Sequence, residues 1–208
     1  MKAVSDLNGA IKTVFNGKKA LIIGDSYNKD NPYGWGYYFK TITGMGNNVT
    51  SIQQNGGGFG RVAQTGSDYP NEYYYQAIAH ISTSIDFDYI IAQAGRNDAY
   101  SPEDTTGAIL INGINQFVSV CKTRWANAKI FIFPTNNDSP LDDAHYKFMR
   151  LIPETALKNG VVTSFQSFKW FYDTNLNHSD GAHLVSAGYE LLAQYIASYI
   201  AGRNGILP

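Results

Sequence analysis

One serine stands where a nucleophile for acyl transfer could stand. Residues 20–23 form an apolar run without polar alternation, which is typical of a strand buried on both faces of a parallel sheet. Gly24, Asp25 and Ser26 follow directly, so Ser26 is expected just beyond the carboxyl end of that strand. Open α/β sheets bind their ligands at this edge. Taken alone, the tripeptide would be interpreted as a helix cap formed by Asp25 or Ser26.

A serine nucleophile needs a base, and an Asp/His pair near the end of the chain could supply it. Histidine is suited to accept a proton at neutral pH, and Asp180, three residues before His183, could orient its imidazole. The same pair could instead be a helix cap and a surface histidine. His178 is a competing candidate base, but no aspartate lies three residues before it.

Acyl transfer also needs hydrogen-bond donors where negative charge develops. The side-chain amide of Asn97, after a predicted strand, is one candidate, and the backbone N–H of Ser26 is another. A third donor could come from the glycine-rich segment 56–60. The carboxyl ends of parallel strands meet at one edge of a sheet, so these groups are expected to converge. In isolation, Asn97 and Asp98 could form an ordinary turn.

The elements that must position these groups alternate between strand and helix, which predicts a parallel sheet covered on both faces. The predicted strands are residues 20–23, 49–53, 89–94, 129–134 and 161–165. The predicted helices are residues 1–17, 34–43, 71–84, a long helix opened by Ser101 and Pro102, residues 142–158 and a last helix from Ser186. The long helix is expected to bury Leu110, Ile114, Phe117, Val118 and Cys121.

Composition limits the classes of function. The 208 residues fit one domain, and a formal net charge of −1 without a basic block disfavours nucleic acid and anionic membranes as partners. Cys121 is the single cysteine, so no intrachain disulfide is expected, and no His/Cys/carboxylate spacing suggests a metal site. No apolar run is long enough to span a membrane, and residues 1–17 resemble an amphipathic helix rather than a signal peptide. The compartment is therefore open: cytoplasmic, or a domain of an exported protein.

At these residues the sequence resembles the SGNH hydrolases, the superfamily of GDSL-type esterases and lipases. Gly24-Asp25-Ser26 is similar to the first conserved block of that superfamily, and the glycine-rich segment 56–60 to the second. The stretch 95–98 is similar to the third block, and Asp180-x-x-His183 to the fifth. The order and spread of the blocks match over residues 19–200.

The resemblance implies a flavodoxin-like, three-layer α/β/α sandwich with about five parallel strands, formed by one domain over residues 1–208. It implies a serine esterase with Ser26, Asp180 and His183 as the triad and no cofactor. The oxyanion hole would consist of Ser26, Asn97 and a glycine of the second block, where similarity favours Gly58 and then Gly57.

The expected substrate is a small-molecule or polysaccharide ester. Polar and aromatic residues after Ser26 favour a hydrophilic alcohol such as a sugar, and so an O-acetyl ester of a carbohydrate. The chain has 15 tyrosines, and exposed aromatic rings could stack on sugars, although packing under loops is the commoner explanation. The alternatives are a lipase or thioesterase of the same superfamily, and a non-catalytic glycan-binding module.

One further motif points elsewhere. Gly58-x-Gly60-x-x-Ala63 matches a dinucleotide-binding fingerprint and follows a predicted strand. That fingerprint requires a helix directly after it, whereas residues 65–70 are typical of a loop.

Overall fold

Five parallel strands form the central sheet of the computed structural model, which describes residues 2–135, 143–164, 176 and 183–204. The sheet has the strand order β2-β1-β3-β4-β5, with β1 at Ala20–Gly24, β2 at Val49–Gln53, β3 at Tyr89–Gly95, β4 at Lys129–Thr135 and β5 at Val162–Thr163. The chain passes from β1 outward to β2 and returns on the other side of β1 as β3. The carboxyl ends of β1 and β3 therefore form the switch point at which such sheets bind ligands.

Helices cover both faces of the sheet. They are α1 (Lys2–Phe15), α2 (Trp35–Thr43), α3 (Tyr74–Ala77), α4 (Arg96–Ala99), α5 (Ala108–Arg124), α6 (Asp143–Lys158) and α7 (Ser186–Arg203), with 3₁₀ turns at Gly46–Asn48 and Ile78–His80. Apolar side chains of α3, α5 and α6 pack on one face, and those of α1, α2 and α7 on the other. The predicted three-layer α/β/α sandwich is confirmed.

Strand β1 explains why its sequence shows no polar alternation. Leu21 and Ile23 point to the layer of α3, α5 and α6, whereas Ala20 and Ile22 point to the layer of α1, α2 and α7. All four side chains are fully buried. Burial of one leucine or isoleucine stabilises a fold by about 1.5–3 kcal/mol, so this strand is held firmly from both sides.

Two predicted helices differ from the observed ones. The helix expected from Ser101 begins at Ala108, because Gly107 takes a left-handed backbone conformation with φ +80° and residues 101–106 form turns. Buried Asp104, which precedes the helix, accepts the N–H of Leu110 at 2.8 Å. The five apolar side chains predicted to face inward from this helix are all buried.

The helix expected over 71–84 is much shorter and is limited to α3 and the 3₁₀ turn after it. Ser82 accepts the backbone N–H of Ser84, so short polar side chains compete here with helical hydrogen bonds. Strand β5 is also shorter than the predicted 161–165, of which residue 165 lies outside the described residues. None of the described helices combines the length and the apolar character that crossing a membrane would require.

Many of the aromatic residues in polar sequence contexts belong to the core. Tyr27, Trp35 and Tyr74 are almost fully buried, whereas Tyr33 and Tyr37 keep 63% and 39% of their surface exposed. The commoner explanation, packing, therefore holds for the first three residues, and Tyr33 and Tyr37 are exposed rings that could stack on a sugar.

Candidate active site

The site lies at the switch point of the sheet, where the loops after β1 and β3 meet. Ser26 follows β1, and His183 lies three residues before the start of α7. The Nε2 atom of His183 is 2.9 Å from the Oγ atom of Ser26, although 157 positions separate the two residues in sequence. This is the hydrogen-bond distance over which a base can take the serine proton.

The imidazole of His183 packs near a buried aromatic pair. The ring of Tyr27 is 6.1 Å from the ring of His183, and Tyr27 in turn meets Tyr189 of α7 edge to face at 5.8 Å. Because Nε2 faces Ser26, Nδ1 is the ring nitrogen to which an orienting carboxylate would bind. Asp180 and His178 lie outside the described residues, so the pairing of Asp180 with His183 stays a prediction.

Glycine is required at position 24 because a side chain would not fit there, not because the backbone takes an unusual angle. A Cβ atom at this position would lie 2.6 Å from Cβ of Asn28 and 2.8 Å from Oε1 of Gln93. Both side chains are fully buried. The glycine therefore lets the end of β1 approach the loop that follows it and the neighbouring strand β3.

Asn28 holds the Ser26 turn against the sheet. Its backbone N–H donates to the carbonyl of Asp25 at 3.0 Å, which closes the turn around Ser26. Its side-chain amide donates to the carbonyl of Ile52 in β2 at 2.7 Å. The nucleophile is thus fixed by hydrogen bonds to its own turn and to the adjacent strand.

Asp25 links the serine turn to Asn97. Its carboxylate accepts the backbone N–H of Tyr27 at 2.9 Å and the side-chain amide of Asn97 at 3.2 Å. Asp25 is 1% exposed, and this burial raises the pKa of its carboxyl to about 6, against the opposing effect of its hydrogen bonds and of nearby His183 and Arg96.

Asn97 lies in the short helix α4, directly after β3, and joins three loops. Besides Asp25, its side-chain nitrogen donates to the carbonyl of Gly57 at 3.2 Å. The amide is therefore oriented before any substrate binds, but both of its N–H groups are engaged within the protein. Asn97 can act as an oxyanion donor when one of these hydrogen bonds is exchanged for one to the substrate.

The hydrogen bonds of the glycine segment after β2 argue against the predicted oxyanion donor, Gly58. The N–H of Gly58 donates to the carbonyl of Arg61 at 2.9 Å, and that of Gly57 to the carbonyl of Gln54 at 3.0 Å. Neither amide is thus available to an oxyanion, so the structure does not support Gly58 or Gly57 as the donor. Gly56 lines the cavity beside Ser26, and among the described residues nothing accepts the N–H of Gly56 or of Ser26.

Gly58 has a different role, because its lack of a side chain leaves room for the carboxylate of Asp98. A Cβ atom at Gly58 would lie 2.4 Å from both carboxylate oxygens of Asp98. Asp98 accepts the N–H of Gly60 at 2.7 Å and so ties the glycine segment to the end of β3. Burial raises the pKa of Asp98 to about 7, and the nearby charge of Asp25 adds to this rise.

A cavity of about 480 Å³ opens above Ser26 and His183. Apart from these two residues, its walls include Asn55, Gly56, Gln64 and Asn97.

His80, another histidine of the chain, contacts Glu72 at 2.9 Å and does not line this cavity. Within the described ranges, no group of three His, Cys, Asp or Glu side chains is arranged to hold a metal ion. The segment after Ala63 is a loop, which contradicts a dinucleotide-binding helix there.

Comparison with solved structures finds proteins that have a similar fold. A family 2 carbohydrate esterase with a carbohydrate-binding domain from Corynascus thermopiles (Myceliophthora fergusii) superposes with a TM-score of 0.66 at 16% identity, over 90% of this chain and 67% of that one. The fold is that of the SGNH hydrolases.

Two other structures superpose over a similar part of this fold. The acetyl xylan esterase Est2A from Butyrivibrio proteoclasticus has a TM-score of 0.55 at 13% identity, over 91% of this chain and 65% of its own. A protein from Lactobacillus plantarum has a TM-score of 0.65 at 15% identity, over 89% of this chain and 97% of its own. No family model and no curated protein matches the sequence.

Sequence reasoning missed two residues of this site. Gly56 was hidden among four glycines in five positions, although Asn55-Gly56 is a recognised turn signal and Gly56 has a φ of +65°. Arg61 carries no motif, and only the folded loop brings its guanidinium to the carbonyl of Asn97 at 3.4 Å.

Proposed function

We propose that this SGNH-type chain is a serine esterase that removes small acyl groups, and specifically O-acetyl groups, from a carbohydrate. The observation that carries the proposal is the 2.9 Å contact between Nε2 of His183 and Oγ of Ser26, at the switch point of the sheet. The superposition on carbohydrate esterases at 13–16% identity supports the fold, and the chemistry is argued from this chain's own residues.

In the first half-reaction, Oγ of Ser26 attacks the carbonyl carbon of the acetyl ester while His183 takes the hydroxyl proton. The carbonyl oxygen becomes an oxyanion, which the N–H groups of Ser26 and Gly56 and the side-chain amide of Asn97 would stabilise. The carbon–oxygen bond to the sugar then breaks, and the sugar oxygen leaves with the proton from His183. Ser26 is left acetylated.

In the second half-reaction, water attacks the acetyl-serine, and His183 takes a proton from this water. The oxyanion forms again in the same hole, the bond to Oγ breaks, and Ser26 recovers its proton from His183. The products are acetate and the free sugar hydroxyl. Asp180 would hold the imidazole in the tautomer that this proton transfer requires.

The chemistry of the cavity favours a hydrophilic ester. Asn55, Gln64 and Asn97 contribute amide groups to its described walls. Long acyl chains need extended apolar walls, which this described lining does not provide. A lipase is therefore disfavoured, and so is a binding module, which has no need of a histidine in hydrogen-bond contact with a serine.

Acetate release from a panel of O-acetylated glycans tests the proposal. The wild-type protein is expected to release acetate from at least one glycan, and Ser26→Ala is expected to release none. Equal release by both proteins, or release by neither, would contradict the proposal.

A further inference from the structure

The cavity above Ser26 is lined by more basic than acidic side chains. Lys29, Arg61 and Arg96 all contribute to its walls, and Asp25 is the one acidic residue among the described lining. The chain as a whole carries a formal net charge of −1, so the charge balance of this cavity is opposite in sign to that of the whole chain. A cavity with such a surplus attracts and retains anionic ligands.

Arg61 is the basic residue whose position is best defined. Its Nη1 atom donates to the carbonyl of Asn97 at 3.4 Å, so the guanidinium lies beside the candidate oxyanion donor. A guanidinium has five N–H donors, and one long hydrogen bond leaves most of them for a ligand. No carboxylate of the described residues forms an ion pair with Arg61.

Lys29 adds a second positive charge to the same cavity. It follows the Ser26 turn, is partly exposed, and has no ion-pair partner among the described residues. Arg96, on α4, lies over the ring of Tyr100 at 5.5 Å. A basic residue that served only to neutralise Asp98 would be expected to contact it, whereas Arg61 contacts a neutral carbonyl instead.

We infer that the alcohol part of the ester carries an anionic group, which Arg61 binds with the help of Lys29. This inference rests on the proposed function. The acetyl group has no charge, so the anion must belong to the sugar, as a carboxylate or a sulfate. Guanidinium groups bind both through paired hydrogen bonds.

Three acetyl esters that differ in the group at carbon 6 of the sugar test the inference. They are an O-acetylated methyl glucoside, the matching glucuronide, which carries a carboxylate, and the matching glucoside 6-sulfate. The wild-type protein is expected to show a kcat/KM about tenfold or more higher for at least one anionic ester than for the neutral one. The two anionic arms distinguish a carboxylate ligand from a sulfate ligand.

Arg61→Gln is the decisive variant, and Arg150→Gln is its control, because it removes the same charge from an exposed position on α6. Arg61→Gln is expected to reduce the ratio of anionic to neutral kcat/KM about tenfold, since a charged hydrogen bond is lost. Arg150→Gln is expected to leave that ratio unchanged. A ratio that Arg61→Gln does not change would overturn the assignment of Arg61.

The failure of this inference can be distinguished from the failure of the proposed function. Hydrolysis of the neutral ester at a rate equal to or above that of both anionic esters would overturn the inference and leave the esterase in place. Hydrolysis of none of the three, together with no hydrolysis of p-nitrophenyl acetate, would overturn both.

Discussion

The carboxylate of Asp25 accepts a hydrogen bond from the side-chain amide of Asn97 at 3.2 Å, across the carboxyl ends of the neighbouring strands β1 and β3. The same Asn97 nitrogen donates to Gly57, so one side chain connects three loops of the site. The candidate oxyanion donor is therefore positioned by a residue adjacent to the nucleophile. This network determines where the side-chain amide points before substrate arrives.

Replacing Asn97 by alanine is expected to lower kcat for p-nitrophenyl acetate by roughly 10²–10³, the usual effect of losing one oxyanion donor. KM is expected to change little, because the hydrogen bond matters mainly in the transition state. Asn47→Ala, at an exposed position outside the site, is the matched control and should leave both constants unchanged. Wild-type kcat in Asn97→Ala would remove Asn97 from the mechanism.

Asp25→Asn tests whether Asp25 positions the Asn97 amide. An amide at position 25 can still accept from the N–H of Tyr27, but it then turns a donor toward the donor of Asn97. We expect kcat to fall by about tenfold or more, with KM near its original value. A purely structural role would lower the melting temperature and leave kcat of the folded fraction intact, so active-site titration must accompany the rate measurement.

Gly56 rather than Gly58 is expected to donate its N–H to the oxyanion. Backbone donors are not removed by substitution, so amide NMR with a boronic acid, which forms a tetrahedral adduct on a reactive serine, is the suitable measurement. The Gly56 amide resonance should move strongly downfield in the adduct. That of Gly58, already bonded to Arg61, should move little. The reverse pattern would restore Gly58 as the donor.

Burial of Asp98 predicts a pH-dependent stability. Its pKa rises from 3.8 to about 7 on folding, so the native state binds a proton more tightly than the unfolded chain does. The stabilisation is complete below about pH 4 and is lost as the pH rises toward 7. The side chain of the Asp98→Asn variant is neutral at every pH. The free energy of unfolding of this variant minus that of wild type should therefore increase as the pH rises from about 4 to about 7.

Urea unfolding at several pH values between 4 and 8 would measure this difference. Asp86→Asn, at an exposed position away from the site, serves as the control substitution. A difference between Asp98→Asn and wild type that is the same at every pH would show that the ionisation of Asp98 does not contribute to stability.

The sequence predicted the sheet well because its strands are distinct in composition. Residues 20–23 are a continuous apolar run, residues 89–94 are interrupted only by Gln93, and the structure places both as neighbouring strands inside the sheet. The start of α5 was predicted wrongly because Ser101 and Pro102 form a plausible local cap. The left-handed conformation of Gly107, which delays the helix, is not visible in such a pattern.

The site was predictable in residue types but not in backbone donors. Ser26 and His183 carry motifs, and the fold brings them into contact. The choice between Gly56 and Gly58 depends on which amide is already bonded, and this is decided by Arg61 on the far side of the loop. Long-range contacts of this kind leave no periodic trace in a sequence.

The central claim is that His183 takes the proton of Ser26, and the most direct test is kcat/KM for p-nitrophenyl acetate in four proteins. Ser26→Ala and His183→Ala are each expected to lose at least roughly 10⁴-fold in kcat/KM, since nucleophile and base act as a unit. His178→Ala is expected to retain nearly wild-type activity, with the fold of each variant checked by circular dichroism. If His183→Ala keeps substantial activity, or if His178→Ala is equally damaged, the assignment of His183 as the base is contradicted.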